Sequence, residues 1–521
     1  MLSRLLLAGA LVAGPCSSPI LAQSLGPAFT IRSSPTIIPQ VCDVTYDVTR
    51  DVYGVVFGRA DGTLRVQRFR ASGTLVGDEV NVGSGYNARI VDLNLRNRFV
   101  VLWQSGDAIL ARIVDPASGL TSGTVTLASS VTAWSMDAAG DATTVDDDVL
   151  VVYCSDRLVL GAQLNVSATF QLQVVSQVPI RVGSASTSYA RITESVGPSG
   201  RLLVAWSEAS ATSTRILGTV ITKELGVLRG AFSIDPSGPE GREVRGIDGD
   251  GENFVVAYTK REPANTGISD VFARAVSFDF ASGTTHVGGQ QAIEADANDN
   301  EGFPTVAFTG SSHLVAYIDG TVSQSDVHGR SVEPFACRLC EQRFGLDSNN
   351  VDAGYLCASV AERAAGASTA VALVVWTRQI GGGSGTTIRG RLYTPEVGTS
   401  RQLGGGCGGG GTAYAACSRH GNSEFRLRVK GALPGNALVV LSPRRIDMAC
   451  TACTLVPDPL VGVLLNGTVD STGAGEVRLP IPNSTGLIGG RVYAQWLALR
   501  ASGPCPLIAA HLSTAIEVEI Q

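Results

Sequence analysis

Seven apolar bursts, each closed by an aromatic residue, recur along this chain at nearly even spacing. They are "YGVVF" ending at Phe57, "FVVLW" at Trp103, "VLVVY" at Tyr153, "LLVAW" at Trp206, "FVVAY" at Tyr258, "HLVAY" at Tyr317 and "ALVVW" at Trp376. The intervals between the closing aromatics are 46, 50, 53, 52, 59 and 59 residues. A period of this length restricts the chain to repeat architectures, in which each unit covers its apolar face only by stacking on its neighbours.

Every burst has companions. A segment with a small residue at or near an arginine follows, as in "ILARIV", "VFARAV", "VHGRSV" and "TIRGRL", with looser copies in "LRVQRF", "LVLGAQ" and "RILGTV". An alternating stretch precedes it ("ARIVDLN", "YARITES", "FPTVAFT"), and a fourth closes the unit ("DEVNVG", "AFSIDP"). Four short strands per unit make a propeller blade. The nearly continuous apolar burst predicts a strand covered on both faces by adjacent blades. Its aromatic wedges between blades, and the small residue of the next strand leaves room for a bulky neighbour.

Phe57, Trp103, Tyr153, Trp206, Tyr258, Tyr317 and Trp376 are therefore read as packing residues. The alanine-rich "YLCASVAERAAGASTAVALVVW" has helical composition, but its place in the period predicts strand, loop, strand. "AFTIRSS" (28–34) has the form of a fourth strand with no blade of its own. Pairing with the last blade would close the ring and hide its edge.

Composition fits this reading. The 521 residues include 61 glycines, and only 17% are charged, as expected for many tight turns between short strands. The net charge is −6 and lysine occurs only at Lys223, Lys260 and Lys430. No basic cluster is available to track phosphates, so nucleic acid is not an expected partner. Residues 1–22 read as a signal peptide: Arg4, the apolar "LLLAGALVAG" and a cleavage site after Ala22. Cys16 invites a lipid-anchor reading, against which Pro15 stands where a small residue is wanted. No segment offers the ~20 uninterrupted apolar residues of a membrane span. The mature chain is expected to be secreted, periplasmic or at the cell surface.

Ten cysteines follow Cys16, and an exported chain favours disulfides over zinc for "CRLC" and "CTAC". Their pairing stays open, with Cys450 or Cys453 to Cys505 expected to tie loops of the last domain. After residue 402 the period stops. The glycine run of "RQLGGGCGGGG" predicts a flexible linker at 403–412. The alternating "FRLRVKG", "ALVVLSP", "VGVLLNGTV", "EVRLPIP", "RVYAQWLAL" and "TAIEVEI" predict a small β-sandwich at 413–521. The expected chain is all-β: a seven-bladed propeller over 24–402 followed by that sandwich.

Residues 42–400 resemble the degenerate seven-bladed β-propellers of large exported bacterial proteins, whose units read roughly "P-x-V-A … V-V-W … I-x-G-R". The pattern is clearest here in "FPTVAF", "HLVAY" and "VHGR". The carboxy-terminal segment is similar to the β-sandwich that often ends such proteins, through "LPGNALVVLSP" and "VYAQWLAL". This resemblance implies a fold and a compartment and brings no catalytic residues.

The sequence is poor in catalytic signatures. His286, His313, His328, His420 and His511 have no metal spacing, and GxSxG, HExxH and phosphate-loop motifs are missing. His313 replaces an apolar burst residue and is read as a buried, satisfied histidine. "DGDGEN" (248–253) and "DANDNEG" (296–302) invite calcium. In the second, Glu301 and Ala307 occupy the positions where an EF-hand needs glycine and glutamate, so both are read as turns. No cofactor is expected, calcium being the one candidate. Asp61, Asp107, Asp156, Asp270 and Asp326 recur before the third strand and are read as turn residues.

A quasi-ring of aromatics enters the first strands: Tyr86, Trp134, Tyr189, Phe303 and Tyr355, with Asp299 and Asn300 as polar neighbours. These residues form either a recognition platform or packing at the rim. The functional expectation is a monomeric, non-enzymatic protein binding a glycan or an extracellular protein. The alternatives are a polysaccharide hydrolase or lyase, which needs a convergent carboxylate pair, and a structural or adhesive surface component.

Overall fold

The computed structural model describes residues 24–93, 95–129, 131, 133–140, 148–183, 185–193, 201–249, 253–261, 269–279, 283–295, 300–309, 313–321, 324–332, 344–347, 353–361, 371–379, 386–394, 400–407, 409–416, 425–450, 453–469, 473, 475–482, 484–500 and 510–520. Of these, 24, 38–42, 133–134, 253, 279, 321, 324, 344, 353–361, 379, 394, 400–402, 414, 416 and 430 are described by backbone alone. The signal-peptide reading of 1–22 lies outside the described residues. The chain divides into two compact units, Leu25–Pro395 and Glu396–Gln521.

The first unit is a seven-bladed β-propeller. Its sheets are separate and antiparallel, and in the first six blades the strands are laid down in sequence order from the axis outward. The inner strands are Ile37–Asp47, Tyr86–Leu93, Ala133–Ala139, Ser186–Ile192, Gly241–Gly249, Glu301–Phe308 and Ala353–Ala361. Each packs on the next and the seventh packs on the first, so the ring is closed around one axis.

The bursts are the second strands, and their burial explains their composition. The seven closing aromatics are all at most 3% exposed. The small residues of the third strands are enforced by contact: a Cβ on Gly218 would stand 2.7 Å from Ile234 Cδ1. The alanine-rich stretch forms two strands, Ala353–Ala361 and Val371–Gln379, within its described part.

The outer strand of the seventh blade comes from the other end of the propeller. Phe29–Ser34 pairs antiparallel with Thr386–Thr394, from Phe29 opposite Gly390 to Ser34 opposite Thr386, with a one-residue slip at Ile31. Ile31 then joins Val55 and Phe57 of the first blade and Leu373 and Val375 of the seventh in one core. A Cβ on Gly390 would press on the Phe29 ring at 3.0 Å, so the glycine seats the closing strand.

Seams between blades differ in their chemistry. Following the register outward from the residue after each burst aromatic leads to one outer-strand position per blade. It holds Gly83, Ala128, Arg181, Asp235, Glu294, Asp347 and, on the closing strand, Arg32. The three acids each clamp the following blade. Tyr258 Oη and Arg274 donate to Asp235 at 3.2 and 3.1 Å. Tyr317 Oη and Arg330 donate to Glu294 at 2.8 and 3.2 Å. Trp376 Nε1 and Arg389 donate to Asp347 at 3.0 and 3.2 Å.

The second unit is also all-β. Its strands form one hydrogen-bonded path of eight, with a ninth, Ala510–Leu512, paired beside it to Arg491–Leu499. Ala413, Leu427, Val439, Trp496 and Val518, from strands spread along that path, share a single core. A separate hairpin, Arg445–Cys450 with Cys453–Pro457, packs Leu455 against Val440 and Leu497.

The glycine run is not a flexible linker. Ser400–Gly404 pairs with Ala515–Glu519, and Gly410–Ala416 pairs with Arg426–Ala432. Gly404, Gly405, Gly409 and Gly411 all have positive φ, and a Cβ on Gly406 would meet Thr514 N at 2.7 Å. Glycine is used here for left-handed backbone and close approach, not for mobility. Cys407, inside the run, is bonded to Cys453; Cys450 is also disulfide-bonded. Cys154 is a free thiol buried in the third blade.

Candidate functional site

Each inner strand opens with one irregularity. Its register to the burst strand slips opposite the closing aromatic or beside it, so the inner strand carries extra backbone there in all seven blades. Such a bulge bends the strand and re-aims a side chain. Asn87, Tyr189 and Phe303 sit in it with φ of 50°, 54° and 51°, values costly for residues with a Cβ and held by the surrounding ladder. Tyr355 occupies the same backbone position and Trp134 stands one residue earlier in the bulge of the third blade; their side chains lie outside the described residues, as does Asp299. Tyr86 immediately precedes the bulge of the second blade.

The bulges fall at the end of the inner strand nearest the turns between second and third strands, so they ring one mouth of the axial channel. In the fifth blade the extra residue is Arg245. Its guanidinium carbon stands 4.4 Å from the Tyr189 ring centre and 5.2 Å from that of Phe303, bridging three consecutive blades. Such cation–π contacts contribute about 0.5–2 kcal/mol each, depending on desolvation. Glu243 holds the stack together, accepting from Tyr189 Oη at 3.0 Å and from Arg245 Nε at 3.1 Å. Burial and Glu243 both push the Tyr189 phenol above its ordinary range.

One step deeper, equivalent positions carry Asp43, Arg89, Asp137 and Arg191 in blades one to four. They stitch neighbouring inner strands. Ile90 N donates to Asp43 at 2.9 Å, Arg89 Nε to Asp137 at 3.1 Å, Ile192 N to Asp137 at 3.1 Å and Arg191 Nε to the Arg245 carbonyl at 3.0 Å. Burial raises the Asp43 carboxyl to about 6, opposed by Arg89 and the Ile90 N–H. Burial, then the neighbouring Arg89, lowers the Arg191 guanidinium to about 10.

The aromatics predicted from sequence thus have different fates. Tyr86 and Phe303 are 45% and 36% exposed, whereas Tyr189 is half-buried beneath Arg245. Asn300 is a turn cap: Ser269 N and Oγ donate to its Oδ1 at 3.0 and 2.6 Å. Asp61 accepts from Thr63 N and Oγ1. Asp248, from the first calcium candidate, accepts from Phe308 N at 2.6 Å and joins blades five and six. No cluster of three or more metal-ligating side chains occurs among the described residues.

His313 is fully buried with its ring 5.0 Å from Phe308. The charged residues of the channel are absent from the sequence-based candidates. A signal existed in the triplet Ala-Arg-Ile, which stands at Ala88–Ile90 and again at Ala190–Ile192, at one offset from the bulge.

A second group of acids lies on the same side of the propeller, between blades five and six. Glu301 is fully buried, and its carboxyl oxygens have no hydrogen-bond partner among the described residues. Burial first, then Asp270 and Asp319, raises it to about 8. Asp319 faces His328 Nε2 at 3.5 Å. A separate open cavity of 580 Å³ lies between blades three and four, lined by Asp156, Arg157, Ser186 and Ser210.

No protein-family model matches this chain, and no curated protein matches it. Solved structures do. The chain is similar to Kuenenia stuttgartiensis hydrazine synthase (9% identity, 67% of this chain and 95% of that one, TM-score 0.45). It is similar to an ulvan lyase from a polysaccharide lyase family (9%, 68% and 95%, TM-score 0.44). It is also similar to the Aleuria aurantia lectin (10%, 68% and 95%, TM-score 0.35). At these scores none of the three bears on the chemistry of this chain. Among the described residues no helix is long and apolar enough to cross a membrane.

Proposed function

We propose that this protein is an exported, monomeric recognition protein that holds a glycan at the channel mouth ringed by Tyr86, Tyr189, Arg245 and Phe303. The observation that carries this reading is the pair of exposed rings on this mouth, Tyr86 in the second blade and Phe303 in the sixth, the latter stacked on Arg245. Aromatic faces take the C–H faces of sugars, and the fixed polar groups between them set orientation. The described carboxylates of the mouth are each committed to donors, Asp43 to Ile90 N, Asp137 to Arg89 and Glu243 to Arg245 and Tyr189. Carboxylates held in this way support orientation and binding better than proton transfer. Export is supported by the disulfides at Cys407, Cys450 and Cys453, which persist in oxidising compartments.

The test is retention of the mature protein on a glycan and polysaccharide panel, repeated with Tyr86→Ala/Phe303→Ala. Loss of retention is expected, with the melting temperature lowered only by the loss of the Arg245–Phe303 contact, a few degrees at most. Retention equal to wild type would overturn the placement of the site. One observation favours a hydrolase or lyase instead: Glu301, raised to about 8 by burial and by Asp270 and Asp319, stays protonated near neutral pH as a general acid must. Release of reducing ends or unsaturated products that stops in Glu301→Gln would establish that reading.

A further inference from the structure

We propose that the channel mouth binds an oxyanion carried on a sugar, anchored by Arg191. This rests on the glycan-recognition reading and names its ligand class. Arg191 is 8% exposed. Its Nε donates to the Arg245 carbonyl at 3.0 Å and its Nη1 to the Ala190 carbonyl at 2.8 Å. Both acceptors are neutral. No carboxylate lies within ion-pairing distance of it and its Nη2 has no partner among the described residues, whereas Arg89 has Asp137 and Arg245 has Glu243.

Of the three guanidinium groups gathered here, Arg191 is therefore the one with no direct ion pair, Asp137 and Asp43 acting on it from beyond pairing distance. A buried cation without one is destabilising unless an anion completes it. An arriving carboxylate or sulfate supplies that charge and accepts from Nη2, in the geometry that guanidinium favours. The two carbonyl contacts fix the side chain beforehand, so little ordering is needed on binding. Phe303, one-third exposed and backed by Arg245, offers a ring face for the sugar that carries the anion.

Calorimetry on the full mature chain with glucuronate, a sulfated monosaccharide and glucose, at matched ionic strength, tests the class. One or both anionic sugars should bind and glucose should not, and which of the two binds identifies the oxyanion. Arg191→Met should lower affinity at least tenfold, with Arg191→Lys intermediate. Should Arg191→Met fail to fold, inorganic sulfate on the wild-type protein decides: competition with the anionic sugar is expected, and none overturns the proposal. Equal binding of glucose, or of neutral and acidic polysaccharides, would leave the glycan reading standing and sink the oxyanion. Binding of an anionic monosaccharide through Arg191 with no polysaccharide retained would do the reverse. No binding of any probe would overturn both.

Discussion

The two halves of the propeller ring solve one packing problem by different chemistry. At the seams from blade four to blade seven, an outer-strand acid meets the aromatic and an arginine of the next blade. At the earlier seams that position holds Gly83, Ala128 or Arg181. There Trp103 Nε1 and Trp206 Nε1 are buried with no hydrogen-bond partner among the described residues. Trp103 instead packs flat on glycine: a Cβ on Gly83 would come within 2.7 Å of its ring. The aromatic's shape is thus common to the ring, and its polar atom is used in only part of it. Across these seams a buried aromatic recurs, whereas the hydrogen bond to it does not.

Removing an acid should break the difference most forcefully. Asp235 is fully buried and takes Arg242 at 2.5 Å, Lys260 at 3.2 Å and Arg274 at 3.1 Å. Asp235→Ala removes the shared counter-charge of Lys260 and Arg274 and leaves Arg242 with Glu240 alone, and should cost about 3–5 kcal/mol in denaturant unfolding. A loss below about 1 kcal/mol would mean that the clamp is decorative.

The tryptophans provide an internal control. Trp376→Phe removes a donor to a buried carboxylate, whereas Trp103→Phe removes an unpaired N–H and a similar volume. The first should be more destabilising by about 2 kcal/mol. Equal losses would show that volume alone governs both seams.

A titration sharpens the contrast further. Glu301, at the seam between blades five and six, is raised to about 8 from an ordinary value of 4.5. The folded state therefore holds a proton that the unfolded chain has lost. This contribution is complete below pH 4.5 and is lost as pH rises through 8, with a slope of at most about 1.4 kcal/mol per pH unit. Glu301→Gln should flatten that decline in melts between pH 5 and 8. An unchanged slope would place the titration elsewhere.

The smallest effect on stability belongs to the mouth. Tyr86→Ala should shift the unfolding free energy by about 0.5 kcal/mol or less, since its ring is exposed. A larger loss would return Tyr86 to a packing role.

Much of this was legible in the sequence, for reasons specific to each residue. The closing aromatics, the small residue of the third strand and the pairing of "AFTIRSS" with the last blade follow from a period and a strand pattern. Burial on two faces leaves few residue types acceptable, so composition records position. The aromatics at the first strands were also visible, although Tyr86 and Tyr189 read alike and sit differently, one exposed and one under a guanidinium. The glycine run around Cys407 misled because glycine marks both mobile chain and close approach, and only the opposing backbone at Thr514 tells them apart.

The sequence by itself determined the repeat, the strand-rich class and the strand that closes the ring. These depend on the period and alternation of apolar residues, which a linear string records. Tertiary structure alone decided the channel chemistry. Arg89, Asp137, Arg191 and Arg245 are about 50 residues apart in sequence and meet only because seven inner strands converge on one axis. The lack of a direct ion pair at Arg191 is likewise a matter of how near Asp137 and Asp43 come to it. Charge balance is set by distance in space, and a repeat with a long period brings together residues that nothing in their local sequence joins.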